Sequence, residues 1–163
     1  DCYPEAVSLV RRENQHRAKP GHGNDSVPAA STLNVAGRLD IDSSGLLVLT
    51  QNGSIARRLI SPDSRVEKEY RGRVSGTLDA HTIAQLCHGL SLDGRVLRPA
   101  RVTQHGAHQL MFILTEGRKR QIRRMCELVG LKVSNLTRTR IGGVALDRLP
   151  RGQWRYLESG EQF

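Results

Sequence analysis

The stretch Gly37-Arg38-Leu39-Asp40-Ile41-Asp42-Ser43-Ser44-Gly45 runs straight into the apolar run Leu46 to Leu49. It sets the carboxylate of Asp40 beside a guanidinium, just ahead of what reads as a buried strand. In a surface built to bind a polyanion, an acid repels phosphate and weakens the counterion release that drives affinity. Chemistry accounts for such a group, because a carboxylate serves as nucleophile or general base. Asp42, Ser43, Ser44 and Gly45 read as a turn, in which Asp caps a backbone amide and Gly supplies positive φ. Asp40 fits a turn less well, since it follows Val35, Ala36 and Leu39 at the end of an apolar stretch.

A second concentration of chemistry lies far along the chain. Residues 117 to 140 carry a net charge of +7, whereas residues 1 to 33 are neutral overall. The footprint for a polyanion therefore falls in the C-terminal half of a chain whose formal charge is +9. From Arg118 to Arg124 five cations crowd the start of a predicted helix, where the macrodipole disfavours them. Phosphates or a carboxylate are expected to compensate. A merely solvated basic face is the plainer alternative.

Other chemistry is poorly supported. Cys2, Cys87 and Cys126 are odd in number and far apart, which gives neither a disulfide framework nor a CxxC pair. His105 and His108, and the group His81, Cys87 and His88, lack a second ligand pair at zinc spacing. No metal or other cofactor is expected, and activity should survive chelation. No run approaches the roughly 20 apolar residues of a membrane span, and no signal-peptide pattern is present.

The elements that must position these groups form a mixed α and β pattern. At 163 residues the chain suits one domain that buries about 70% of its unfolded surface. Residues 1 to 10 read as a short helix or strand, and 11 to 34 as a long polar loop with Pro20, Gly21, Gly23 and Pro28. Strands are predicted over Leu46 to Thr50, Val66 to Val74, Arg98 to Gln104, Gln109 to Thr115, Leu131 to Ile141 and Trp154 to Leu157. Helices are predicted from a Ser54 cap to Ile60, ended by Pro62; from Asp79 to His88, stopped by Gly89; and from Gly117 to Val129, ended by Gly130. In the last of these Ile122, Met125, Cys126 and Val129 form a buried stripe, which leaves Arg120, Arg123 and Arg124 on the other faces.

Taken together, these residues resemble a known family. Gly37-Arg38-Leu39-Asp40 with Ser43, Gly45-Leu46-Leu47 and Leu49-Thr50; Glu67-Lys68-Glu69-Tyr70; Glu116-Gly117-Arg118 with Arg120-Gln121-Ile122-Arg123-Arg124-Met125; and Leu136, Arg138-Thr139-Arg140-Ile141, Leu149-Pro150, Gly152 and Trp154 follow the order found in RNA pseudouridine synthases of the RsuA group. Within that group the chain is most similar to the RluF-like branch, which modifies 23S ribosomal RNA. The resemblance covers residues 35 to 157.

It implies an α+β fold, with a mixed, mostly antiparallel sheet flanked by helices around a central active-site cleft. It implies a cofactor-free isomerase that breaks the glycosidic bond of a uridine, turns the base and rejoins it through C5. By similarity Asp40 is the catalytic carboxylate, acting either as nucleophile at C1′ or as the base that removes a sugar proton. Tyr70 matches the tyrosine that stacks on the target base, and Arg123 the basic residue that pairs with the catalytic Asp. Leu136 matches a residue lining the base pocket, and Arg38 one that touches RNA beside the extruded nucleotide. Packing would equally explain Tyr70 and Leu136, and a phosphate clamp Arg123. Arg118, Lys119, Arg120, Arg124, Arg138 and Arg140 are candidates for the backbone contacts that offset base extrusion. Neutralising Arg120 or Arg124 is expected to make the salt dependence of RNA binding shallower.

The expected partner is ribosomal RNA or a ribosomal subunit precursor, bound by a monomer in the bacterial cytoplasm, with an organellar setting left open. The expected organisation is a partial N-terminal segment over 1 to 34 and a catalytic domain over 35 to 163. No S4-type RNA-binding domain is read in the chain, which is expected to begin inside the catalytic domain. Lys19-Pro20 is not equated with the family's Lys-Pro strand, because no apolar strand precedes it. The alternative is a non-catalytic RNA-binding ribosome assembly factor of the same fold, and a DNA-binding protein ranks third for want of a recognition-helix or zinc-finger pattern.

Overall fold

The computed structural model of the chain describes residues 6–16 and 27–163. Short 3-10 turns at Ala6–Leu9, Arg12–Asn14 and Ala30–Thr32 lead into β1, Asn34–Ala36. The stretch 17 to 26, including Lys19-Pro20-Gly21, lies outside the described residues, as does Cys2; it is the middle of the region predicted as a polar loop over 11 to 34.

The apolar run after Gly45 is two strands rather than one. β2, Ser44–Gly45, pairs in parallel with β9, Lys132–Ile141, whereas β3, Val48–Thr50, pairs antiparallel with β1. Leu46 and Leu47 carry the chain from one sheet to the other. Gly45 is what permits the approach: its φ is +113°, and a Cβ there would overlap the carbonyl oxygen of Arg138.

Helix α1, Gly53–Ile60, is capped by Asn52, whose side chain accepts from the Ser54 amide at 2.9 Å, so the cap lies two residues before the one predicted. β4, Lys68–Ser75, is followed by α2, Ala80–Cys87, capped by Asp79 through the Thr82 amide at 2.7 Å. A hairpin that the periodicity reading missed, β5 Ser91–Leu92 and β6 Arg95–Val96, turns at Asp93-Gly94, both with positive φ. Asp-Gly is a strong signal for such a turn. β7, Arg101–Gln104, and β8, Gln109–Leu114, pair antiparallel as expected. The chain ends with β10, Val144–Ala145, and irregular segments. The predicted strand at Trp154 to Leu157 reduces to one bridge between Trp154 and Gln15.

Helix α3 spans Gln121–Leu128 and begins later than the sequence pattern suggests. Arg120 takes a left-handed conformation at φ 53°, which stops helix from propagating back toward Gly117. Arg118, Lys119 and Arg120 therefore sit in the preceding loop, and only Arg123 and Arg124 lie in the helix. Ile122, Met125 and Cys126 are buried as predicted, but so is Arg123, which the stripe had left on an outer face.

The principal sheet runs β10-β9-β4-β8-β7, with β2 pairing Thr137 and Arg138 of β9 on the edge that β10 joins at Arg140 and Ile141. Its neighbours on the β10-β9-β4-β8-β7 path are antiparallel, and the β2 pairing is parallel, which gives the mixed, mostly antiparallel sheet of an α+β fold. Two cores hold it. One packs Leu86 of α2 and Ile122, Met125 and Cys126 of α3 onto Val74, Leu110, Phe112, Leu114 and Leu136. The other joins Ala36, Leu46 and Leu59 to Ile141 and Val144. Full burial of each large side chain contributes about 1.5 to 3 kcal/mol. Burial raises the Cys126 thiol pKa to about 12, so it stays protonated and acts as a small hydrophobe.

One irregularity decides what faces where. Between Glu69 and Tyr70 the register against β9 slips: Tyr70 lies opposite Arg138, but Glu69 lies opposite Arg140. The extra residue, Thr139, is a bulge. Arg138 thereby shares the helix-covered face with Tyr70 and Phe112, while Arg140 shares the opposite face with Glu69.

Candidate active site

A cleft of about 870 Å³ opens between the two cores, with Tyr70, Leu136 and Ile141 among its lining residues. Asp40 reaches it from the loop between β1 and β2, where the Asp40 carbonyl accepts the Ser43 amide at 2.8 Å. The same loop borders a second, more apolar cavity of about 1160 Å³ whose lining includes Leu47, Leu49 and Trp154. Only the first brings Asp40 and Tyr70 together. Its carboxylates are Asp40 and Glu116, set against eight cations. Glu116 is committed: Oε1 accepts from the Arg98 amide at 2.8 Å and from Gln121 Nε2 at 3.1 Å. The Asp40 carboxylate has no hydrogen bond or ion pair among the described residues.

Arg123 does not pair with Asp40. Its Nη2 donates to the Asp42 carbonyl oxygen at 2.7 Å and its Nη1 to that of Val133 at 3.0 Å, while Nε stands 3.4 Å from Asp42 Oδ2. The guanidinium is buried behind the cleft wall and fastens the loop carrying Asp40 to α3 and β9. Arg120 takes the same carboxylate from outside, donating to both oxygens at 2.8 and 2.9 Å. The Arg120 hydrogen bond is the main reason the Asp42 pKa lies below the ordinary value of 3.8; the Arg123 charge adds to it and desolvation opposes it.

Asp42 thus belongs to the machinery that the turn reading of the sequence had excluded. The signal was available: five cations crowded before and into one helix called for a carboxylate, and Asp42 is two residues from the acid already singled out. The other compensating acids are Asp93, 2.6 Å from Arg124, and Glu116, 3.7 Å from Arg118.

The remaining candidates divide. Arg38, Leu136, Arg118, Lys119, Arg120 and Arg138 line the cleft with Asp40 and Tyr70; Arg123, Arg124 and Arg140 do not. Arg140 lies across the bulge on the other face of the sheet, 3.2 Å from Glu67 and 3.4 Å from Glu69. Arg138 is buried, its Nε donating to the Leu46 carbonyl at 2.8 Å and its Nη1 to that of Arg38 at 3.2 Å.

A family model described as RNA pseudouridylate synthase matches residues 12–128. The chain belongs to this family. Ribosomal large subunit pseudouridine synthase B of Vibrio vulnificus is 41% identical over 127 residues, which cover 75% of this chain and 40% of that protein. The protein of the same name in Escherichia coli K12 is 39% identical over 127 residues, covering 75% of this chain and 44% of its own length. The chain spans less than half the length of these pseudouridine synthases. A crystal structure of a pseudouridylate synthase superposes with a TM-score of 0.80 at 29% identity, covering 96% of this chain and 63% of that one. The archaeal box H/ACA Nop10–Cbf5 complex, with a TM-score of 0.53 at 18% identity, shares the fold alone. In this pseudouridine synthase fold no described helix is long and apolar enough to cross a membrane.

Proposed function

We propose that the chain isomerises a uridine of ribosomal RNA, in the large subunit by similarity to the relatives' names, to pseudouridine, with residues 35–163 as its catalytic domain. The observation that carries this reading is the unpartnered Asp40 carboxylate, in one cleft with Tyr70 and Leu136, beside acids that are all committed elsewhere. A carboxylate with no hydrogen bond or ion pair is available to react, either as nucleophile at C1′ or as base toward the ribose. The Tyr70 ring offers a stacking face for the extruded base, and Leu136 an apolar wall. Arg123 acts as a positioning residue: it holds the backbone of the Asp40 loop rather than the carboxylate itself. Arg38 and Lys119, which have no acid partner among the described residues, suit the RNA backbone on either side. Extruding a stacked base costs a few kcal/mol, which such contacts offset. The reading takes a ribosomal subunit precursor as partner, a monomer as the working form and the bacterial cytoplasm as the setting.

The test is to incubate the purified chain with transcripts of large-subunit ribosomal RNA and map pseudouridine by carbodiimide-dependent primer stops. Asp40→Asn keeps the shape and removes the charge, so turnover should fall on the order of 10⁴-fold, as when a catalytic nucleophile or base is removed, with RNA affinity within about two-fold of the parent. RNA binding without pseudouridine from the parent chain would point instead to an assembly factor.

A further inference from the structure

Lys68 belongs to the motif Glu67-Lys68-Glu69-Tyr70, yet its surroundings set it apart from both glutamates. It stands two residues before Tyr70 on β4, and both side chains line the cleft. A strand carries such a pair on one face, roughly 6.7 Å apart. The Lys68 ammonium has no hydrogen bond or ion pair among the described residues. The charges that act on it are the guanidinia of Arg138 and Arg98, and all three residues line the same wall.

Neither arginine is neutralised by an acid. Arg98 donates to the carbonyls of Pro62 at 2.7 Å, Ser64 at 2.9 Å and Thr115 at 3.0 Å. Arg138 donates to those of Leu46 and Arg38, and its Nη2 is buried without a partner. Carbonyl oxygens satisfy N–H groups but leave the net charge in place. Three cations therefore converge on one patch of a half-buried cleft with no counter-ion, an arrangement that costs stability until an anion completes it. Burial first, and then Arg138 and Arg98, push the Lys68 pKa below its ordinary 10.5, as expected for an ammonium without an anion. The acids of the cleft do not fill this role: Glu116 bonds to Gln121 and the Arg98 amide, and Asp40 makes no pair.

We infer that Lys68, backed by Arg138 and Arg98, is a phosphate-binding subsite inside the cleft, which takes a phosphodiester of the nucleotide whose base stacks on Tyr70. The inference rests on reading the cleft as a uridine site. The spacing of the two side chains suits a base and the phosphate of the same nucleotide, and a lysine ammonium is a compact point charge that holds phosphate without demanding a fixed fork geometry.

Two measurements test it, and the first needs no turnover. Binding of uridine, uridine 5′-monophosphate and uridine 3′-monophosphate to the full chain is followed by NMR shift titration. One of the monophosphates should bind at least about ten-fold more tightly than uridine, as a charge-assisted hydrogen bond implies. Lys68→Met should erase that preference, Lys68→Arg should keep most of it, and the melting temperature of Lys68→Met should be equal or higher, since a mutual repulsion is relieved. No preference in the parent chain, or an undiminished one in Lys68→Met, overturns the subsite even if pseudouridine is made. The second measurement uses an RNA that the chain modifies, carrying a neutral methylphosphonate at the phosphate 5′ or 3′ of the target. Lys68→Met should cost about 10 to 100-fold in kcat/KM on the charged RNA and nothing further on the neutral one. An equal penalty on both overturns it. A parent chain that shows the monophosphate preference but makes no pseudouridine refutes the isomerase reading and leaves the subsite standing.

Discussion

The two faces of the central strands treat the same side chains in opposite ways. On the cleft side, Arg138 is held by the carbonyl oxygens of Leu46 and Arg38, Arg98 by those of Pro62, Ser64 and Thr115, and, behind the wall, Arg123 by those of Asp42 and Val133 together with the Asp42 carboxylate, while Arg118 and Arg120 of the loop before α3 meet Glu116 and Asp42. At the Glu67 and Glu69 end of the opposite face they are held by carboxylates: Arg101 lies 2.7 Å from Glu67, and Arg140 reaches both Glu67 and Glu69, with Thr139 donating to Glu69 at 2.9 Å. Carboxylates cancel charge and carbonyls do not. Around Glu67 and Glu69 the back face is electrostatically closed, although Arg71 and Arg73 further along the same face of β4 have no acid partner among the described residues, whereas the cleft keeps a positive potential and one free acid. A single bulge at Thr139 separates the two regimes by sending Arg138 and Arg140 to opposite sides.

The contrast is sharpest in Arg123 and Arg140. Arg123→Met removes two buried carbonyl bonds and leaves Asp42 with half of its clamp, which should cost about 2 to 4 kcal/mol by urea denaturation. It should also lower kcat more than RNA affinity, because the Asp40 loop loses its anchor. Arg140→Met breaks ion pairs that are partly exposed, worth less than about 1 kcal/mol, and should leave turnover unchanged. If the two variants lose similar stability and activity, carbonyl-held and carboxylate-held arginines are equivalent here and the division fails.

Asp42 is the place where the regimes meet, since one carboxylate serves exposed Arg120 and buried Arg123. Asp42→Asn keeps the backbone carbonyl bond of Arg123 but removes the charge pairing, and should cost about 1 to 3 kcal/mol. The pH dependence follows in sign. The folded Asp42 pKa lies below 3.8, so its contribution is present above that value and is lost as pH falls through the folded pKa. The parent and Asp42→Asn should therefore differ at neutral pH, begin to converge as pH falls below 3.8 and meet only below the folded pKa, as read from unfolding midpoints. A difference that persists into acid would assign the effect to shape rather than charge.

Much of this was legible in the sequence, and the failures share a cause. The helix at Ala80–Cys87 and the strands at Lys68–Ser75, Gln109–Leu114 and Lys132–Ile141 announce themselves by period and caps, and the cleft gathers Asp40, Tyr70 and Leu136 from three distant motifs. What the pattern could not supply was pairing. Periodicity places Arg138 and Arg140 on one face, and only the register against β4 reveals the bulge that separates them. Likewise the run from Leu46 to Thr50 is uniformly apolar, and nothing local says that its two ends serve different sheets. The choice of Asp42 over Asp40 as partner for Arg123 is a matter of loop geometry two residues long.

The smallest expected effect tests whether only one side of the sheet meets RNA. Lys119 and Arg38 line the cleft without an acid partner among the described residues, so each substitution to Gln should reduce the log–log salt slope of RNA binding by about 0.7 to 0.9 for every phosphate no longer neutralised. Arg120 and Arg124 differ, because each must leave Asp42 or Asp93 to take a phosphate and frees a repelling carboxylate when removed. Their Gln variants should still make the slope shallower, as expected from sequence, but by less than Lys119→Gln. Arg101→Gln on the back face should leave the slope unchanged, since its charge is already met by Glu67. Filter-binding titrations across a four-fold range of salt resolve these differences. A slope change for Arg101→Gln as large as that for Lys119→Gln would mean that RNA wraps both faces of the sheet and draws Arg101 away from Glu67.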